Sequence, residues 1–152
     1  MITQLGVAGV FVTDYDEAKE FFVGKLGFEE RHDVVMDNGF RWLTVGPPAS
    51  PAIQLHISVP GPPTHDDATA AMLRELMAKG VLSAGAWNTD DCRATYELYR
   101  SRGVEFIQEP HERPYGVEAV FRDPFGNWYS LNETNEQAFD RQAMEKSYSP
   151  AS

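Results

Sequence analysis

The chain repeats itself. Moved along by 76 positions, its first half lies on its second without a gap. Ala8/Ala84, Gly9/Gly85, Thr13/Thr89, Asp14/Asp90, Ala18/Ala94, Gly27/Gly103, Glu29/Glu105, Pro48/Pro124 and Leu55/Leu131 are then identical. Chance would supply about three such identities, so the pattern reads as a duplication. The fold is therefore expected to be two copies of one supersecondary unit.

The first copy defines that unit. "GVAGVFV" is apolar and punctuated by glycine, and reads as a strand. "TDYDEAKEFFVGKLG" reads as a helix: Asp14 and Glu17 form a D-x-x-E capping pair, Ala18, Phe21, Phe22 and Leu26 recur at helical spacing, and Gly27 stops it. "FEERHDVVM", "FRWLTV" and "AIQLHISV" are three strands, the first two joined through the hairpin signal "DNG" at 37–39. The order is βαβββ. A Pro-rich linker, "VPGPPTH", leads to a helix at 66–79 with Met72, Leu73, Leu76 and Met77 on one stripe. After Gly80 the order restarts: "LSAGAWN" as strand, "TDDCRATYELYRSRG" as helix, then "VEFIQ", "YGVEAVFRD" and "NWYSLNE" as strands. The tail "TNEQAFDRQAMEKSYSPAS" is polar. Residues 134–146 suit a weak helix with Phe139 and Ala143 inward, and "SYSPAS" reads as disorder.

Composition narrows the function. With 152 residues, 42% of them hydrophobic and 12% aromatic, the chain can bury a core. A net charge of −10 argues against nucleic acid and anionic membranes, which call for clustered Lys and Arg. No apolar run approaches the ~18 residues of a membrane span, and the start lacks the basic region of a signal peptide. A single cysteine, Cys92, forms no internal disulfide and fits a reducing cytoplasm. It lies in the first turn of a helix and reads as packing rather than as a nucleophile.

Two polar residues stand out. The repeat aligns Gln54 in "AIQLHI" with Ser130 in "WYSLN", and each sets one uncharged polar group in an apolar strand. By strand alternation His56 shares the face of Gln54, and Trp128 and Asn132 share that of Ser130, with Phe11, Trp42, Trp87 and Glu118 on matching faces. This is the composition of a small-molecule site: mostly aromatic, with a few polar groups. His32, His65 and His111 fall in or near loops and are expected to face solvent.

"VTDYDEAKEFFVGKLGF", the turn "RDPFGNW" and the βαβββ repeat, over residues 4–133, resemble the vicinal oxygen chelate superfamily: glyoxalase I, bleomycin- and fosfomycin-resistance proteins, and extradiol dioxygenases. The resemblance implies an α+β fold in which two tandem βαβββ modules form a curled mixed sheet around a central cavity. One domain over 1–133 would hold a first module at about 4–58, a linker and helix at 59–80 and a second module at about 81–133, with residues 134–152 as the tail. It also implies pairing of chains into a homodimer. Enzymes of the family hold a divalent metal from four positions. Carried onto this chain, these are Val7, Gln54, Ala84 or Ser83, and Ser130, the last standing where the metal enzymes carry Glu. Such a set lacks the donors a metal needs, so no metal and no cofactor is expected.

The expected function is therefore metal-free binding of an apolar or aromatic small molecule by Phe11, Trp42, Gln54, His56, Trp87, Trp128 and Ser130, in a cytoplasmic homodimer. Two alternatives stand beside it. One is a lyase, isomerase or dioxygenase-like enzyme with an atypical or metal-free site, in which His56 or Glu118 is the catalytic acid–base group. The other is a structural or regulatory dimer without a ligand.

Overall fold

The computed structural model describes residues 1–136, 138, 140–142 and 145. The chain forms two compact units, Met1–Ala84 with Asp123–Asn127, and Gly85–Arg122 with Trp128–Ser152. Each contains one four-stranded curled sheet of the expected α+β class.

In unit one the order is β1 (Val7–Phe11), α1 (Tyr15–Lys19), a π-helical segment (Glu20–Lys25), β2 (Glu29–Val35), β3 (Arg41–Gly46), β4 (Gln54–Ser58) and α2 (Asp67–Ala78). The sheet runs β1-β4-β3-β2, with β1 parallel to β4 and the other pairs antiparallel. The Asp14 carboxylate starts α1 by accepting the Glu17 N–H at 2.8 Å. Pleat alternation sends Val10, Leu43, Val45, Leu55 and Ile57 to one face, where all are buried, as are Ala18, Phe21 and Phe22 of the helical stretch. Each such burial contributes about 1.5–3 kcal/mol, and this layer is the core of the unit.

The expected stripe on α2 is only partly seated. Met77 and Ala70 are buried, whereas Met72 is 60% and Leu76 40% exposed. The helix buries a narrower face than its apolar residues span.

Unit two repeats the plan with β5 (Ser83–Asn88, at the boundary of the units), α3 (Cys92–Ser101), β6 (Glu105–Arg113), β7 (Gly116–Arg122) and β8 (Trp128–Thr134), in sheet order β5-β8-β7-β6. Its core face holds Ala119, Phe121, Tyr129 and Leu131 beneath Cys92 and Tyr96 of α3. Phe121 stacks on Tyr129 at 5.0 Å, and Tyr96 meets Phe106 edge-on at 4.6 Å. Burial pushes the Cys92 thiol up, away from the reactive thiolate. The Cys92 N–H donates to Glu133 Oε2 at 2.9 Å, which ties the first turn of α3 to β8.

The gapless repeat proves to hide two compensating changes. The residue that caps α3 is Asp91, whose carboxylate accepts the Ala94 N–H at 2.8 Å, and not Asp90, the partner of Asp14 in the sequence alignment. One extra residue thus precedes the second helix. The first helix has one extra inside it, between the cap Asp14 and the left-handed Gly27, compared with Asp91 and Gly103. It is absorbed where Leu26 N–H donates to Phe21 O, five residues back, at 3.0 Å.

The turn Asp123–Asn127 belongs to unit one. Asp123 is buried. Its Oδ1 accepts the N–H groups of Phe125 and Asn127 at 2.9 and 3.0 Å, and its Oδ2 accepts Asn127 Nδ2 at 2.8 Å. Asn127 Nδ2 also donates to the Phe11 carbonyl at 2.7 Å. Gly126 has φ +99°, and a Cβ there would stand 2.2 Å from the Met77 carbonyl, so only glycine fits. The most recognisable motif of the sequence is therefore architectural. In the tail, Phe139 and Ala143 lie outside the described residues, as does "SYSPAS".

Candidate functional site

The second face of each sheet, away from its helix, carries the candidate residues. In unit one Gln54, His56 and Ser58 alternate with the core residues Leu55 and Ile57. Across the strands, His56 is paired with Gly9 and Thr44, Ser58 with Phe11, and Gln54 with Val7. Phe11, Trp42, Gln54 and His56 thus share one face. The Trp42 and His56 rings stack at 4.5 Å, and Phe40 lies 5.8 Å from His56 and 6.4 Å from Trp42. His56 Nε2 is 3.4 Å from the Arg41 carbonyl. The imidazole is held as one layer of an aromatic shelf.

A hydrogen-bonded relay runs beside the shelf. Thr44, fully buried, donates its hydroxyl to Gln54 Oε1 at 2.9 Å. Its only proton is then committed, so at the 3.1 Å contact with His32 Nδ1 the imidazole must donate. The Thr44 hydroxyl thus bridges His32 and Gln54. It also answers how Gln54 is tolerated in an apolar strand: its carbonyl is satisfied by the neighbouring strand.

Of the three histidines expected to face solvent, His32 and His111 are exposed and His65 is not. His32 lies in β2 and His111 in β6 rather than in loops. His65 is half-buried, its ring meeting that of Phe11 edge-on with centres 5.5 Å apart, and its buried Nδ1 meets no hydrogen-bond partner among the described residues. The strand carrying His111 runs beyond the expected "VEFIQ" into polar residues that mask the strand signal. His65 is turned inward by the loop that binds its N–H to the Gly61 carbonyl at 2.9 Å.

In unit two the face is built round a carboxylate. Glu118 is half-buried. Its Oε1 accepts the Ser130 hydroxyl at 3.3 Å, and its Oε2 accepts Arg113 Nε at 3.2 Å and the Tyr115 hydroxyl at 3.1 Å. Arg113 reaches on to Gln108 Oε1 at 3.3 Å. Ser130 therefore serves as a donor to Glu118. Trp128 and Asn132 flank Ser130 on the same side of β8, while Tyr129 and Leu131 turn to the core. Trp87 is half-buried in β5.

Sequence reading missed His32, Phe40, Thr44, Gln108, Arg113 and Tyr115. Thr44 was within reach, standing two residues from Trp42 on the same face. Gln108 and Arg113 were not, because β6 changes register against β7 between Phe106 and Gln108 and again between Gln108 and His111.

The donor set is poor for a divalent metal. In unit one Val7 has no donor atom, and the Gln54 carbonyl is engaged by Thr44. In unit two Ser130 offers a neutral hydroxyl that donates to Glu118, itself paired with Arg113. Ala84 has no donor either. Among the described residues no three His, Cys, Asp or Glu side chains gather as a metal would need. Nor, among them, is any helix long and apolar enough to cross a membrane.

Two sheets on a repeated βαβββ plan, with a D-P-x-G-N turn before the last strand, define a class. The chain belongs to the Glyoxalase/Bleomycin resistance protein/Dioxygenase superfamily, whose family model matches residues 4–131. Among solved structures it is similar to UcmS2, at 47% identity and a TM-score of 0.84, covering 88% of this chain and 100% of that one. It is also similar to TnmS3, described as an antibiotic binding protein from Streptomyces sp. CB03234, at 29% identity, TM-score 0.69, and coverage of 88% and 98%. An uncharacterized protein of Shewanella frigidimarina is 33% identical over 127 residues, 83% of this chain and 90% of that protein.

Proposed function

We propose that this protein is a metal-free binding protein for an apolar, aromatic small molecule, acting as a cytoplasmic homodimer. The observation that carries the reading is the aromatic shelf of unit one, with Trp42 on His56 at 4.5 Å and Phe40 beside both. Flat rings offer large contact area to a flat ligand at little conformational cost. The likeness to TnmS3, an antibiotic binding protein, supports a ligand of natural-product type. His56 is engaged as a wall and Glu118 is held by three donors, an arrangement that suits rigid recognition better than proton shuttling. Pairing of chains is supported by Val34, Val35 and Met36, exposed at and beside the edge strand β2.

Titration with the neutral fluorescent probe N-phenyl-1-naphthylamine tests the reading. Saturable binding at micromolar concentration is expected, weakened about tenfold by Trp42→Ala, the order of one lost stacking contact with its buried area. No binding to the wild type, or binding that ignores Trp42→Ala, would overturn it. Native mass spectrometry of the same sample should show a paired chain.

A further inference from the structure

We propose that the Gln54 carboxamide is a fixed hydrogen-bond donor on the aromatic shelf of unit one, and that it selects flat aromatic ligands bearing a neutral carbonyl group. The inference rests on the small-molecule-binding reading and deepens it by naming the polar group that the ligand presents.

The amide is held by one end only. Thr44, fully buried, donates its hydroxyl to Gln54 Oε1 at 2.9 Å, which turns the carbonyl of the amide toward β3. Nε2 keeps both of its hydrogens, for it meets no acceptor among the described residues. Gln54 is half-exposed and its Nε2 is not sealed from solvent, so a ligand atom can reach it. The place of the amide matters equally. Gln54 stands two residues before His56 on the same side of β4, about 7 Å away at the strand repeat. His56 carries the ring that stacks on Trp42. A fused two-ring ligand lying on the shelf has about that breadth, and brings a substituent to the free end of the amide. The rings, the amide and the threonine that holds it all belong to the sheet of unit one.

The surroundings decide the ligand class. A donor calls for an acceptor, and carbonyl and carboxylate oxygens both qualify. Val7, Phe11, Trp42 and Thr44, which share the face, carry no charge. A carboxylate would lose its hydration there without a counter-charge, on a chain whose net charge is −10. A neutral carbonyl has less hydration to lose. When it is conjugated with the ring it also lies in the ring plane, so the oxygen is directed along the shelf toward Nε2 while the ring stacks.

The test compares 2-acetylnaphthalene with its near-isostere 2-isopropenylnaphthalene, which replaces the carbonyl oxygen by a methylene group. Both are titrated into the wild-type protein, Gln54→Leu and Thr44→Val. The readout is the ratio of the two affinities, compared between proteins so that the different hydration of the two compounds cancels. Relative to wild type, the preference for the ketone should fall about three- to tenfold in Gln54→Leu, the worth of one hydrogen bond. Affinity for the hydrocarbon should be retained. Gln54→Leu leaves no buried group unpaired, because the Thr44 hydroxyl keeps His32 Nδ1 at 3.1 Å as a partner. Thr44→Val removes only the group that turns the amide, and should lower the same ratio part of the way. A ratio unchanged in either variant would overturn the subsite while leaving the aromatic binding reading in place. Failure of both compounds to bind the wild type would overturn that reading and the subsite with it.

Discussion

The two units share a plan and differ in what they expose. Each turns an apolar face to its helix: Leu43, Val45, Leu55 and Ile57 in unit one, Ala119, Phe121, Tyr129 and Leu131 in unit two. On the other face, unit one lays aromatic rings beside a hydrogen-bonded Thr44–Gln54–His32 relay, whereas unit two gathers Ser130, Arg113 and Tyr115 about Glu118. Core faces are constrained by volume and must match their helix. The opposite faces are constrained only by the need of each polar group for a partner, and so two copies of one unit can diverge there without loss of fold.

Their supports differ too. In unit one Asp33 receives Arg41 through Nε and Nη2, both at 2.8 Å, and also Lys19, while the Arg41 guanidinium lies 4.5 Å from the Tyr15 ring centre. At the positions 76 residues on stand Glu109, Val117 and Thr95, which lack the Arg and Lys that Asp33 binds. The turn Asp123–Asn127 likewise has no equivalent at the β3–β4 connection, which runs instead through the Pro-rich "PPASPAI".

The largest effect is expected at that turn. Asp123→Ala strips the acceptor from two backbone N–H groups and from Asn127 Nδ2, all in a buried setting. A loss of about 3–4 kcal/mol should follow, read as a lower midpoint in urea. If stability changes by less than about 1 kcal/mol, the turn is not the structural anchor of unit one.

Next is the Asp33 network. Hydrogen bonds and charge from Arg41, then Lys19, hold the Asp33 carboxyl well below the usual carboxylate range. Its folded value is depressed, so its contribution is complete above the unfolded value and fades as acid protonates the folded state. Asp33→Asn should lower the thermal midpoint at pH 7 by an amount worth about 1–3 kcal/mol. The gap to wild type should close progressively below about pH 5. A gap that is constant from pH 7 to pH 3 would show that the side chain acts through packing and not through charge.

The smallest effect concerns the extra residue of the first helix. Deleting Gly24, exposed within the π-helical segment, should restore an ordinary α-helix at a cost within about 1 kcal/mol. The matched deletion of Leu98 from α3, which has no residue to spare, should cost several times more in the same urea titration. Equal losses would mean that the one-residue difference between the helices is not what the π-helical segment absorbs.

The fold was legible because its signals are local. Caps at Asp14, the left-handed stops Gly27 and Gly103, the turn at Gly39 and period-two strands such as "QLHIS" each report on a few adjacent residues. The sharing of one face by Phe11, Trp42, Gln54 and His56 followed from alternation alone. What alternation could not supply was the partner of each polar group. Glu118 meets Arg113 across bulges that break the count along β6. His32 finds Thr44 only because β2 and β3 are set in register past an irregularity between Glu30 and His32.

By itself, then, the sequence determined the repeated βαβββ plan, the ends of its helices and the absence of donor atoms at Val7 and Ala84, for these are properties of residues and their near neighbours. The tertiary structure decided which carboxylate Ser130 serves, which acceptor on Asn132 is left without a partner, and that Asp91 rather than Asp90 opens the second helix. Each of these turns on strand register or on an insertion offset elsewhere, and a shift of one residue reverses the face a side chain takes.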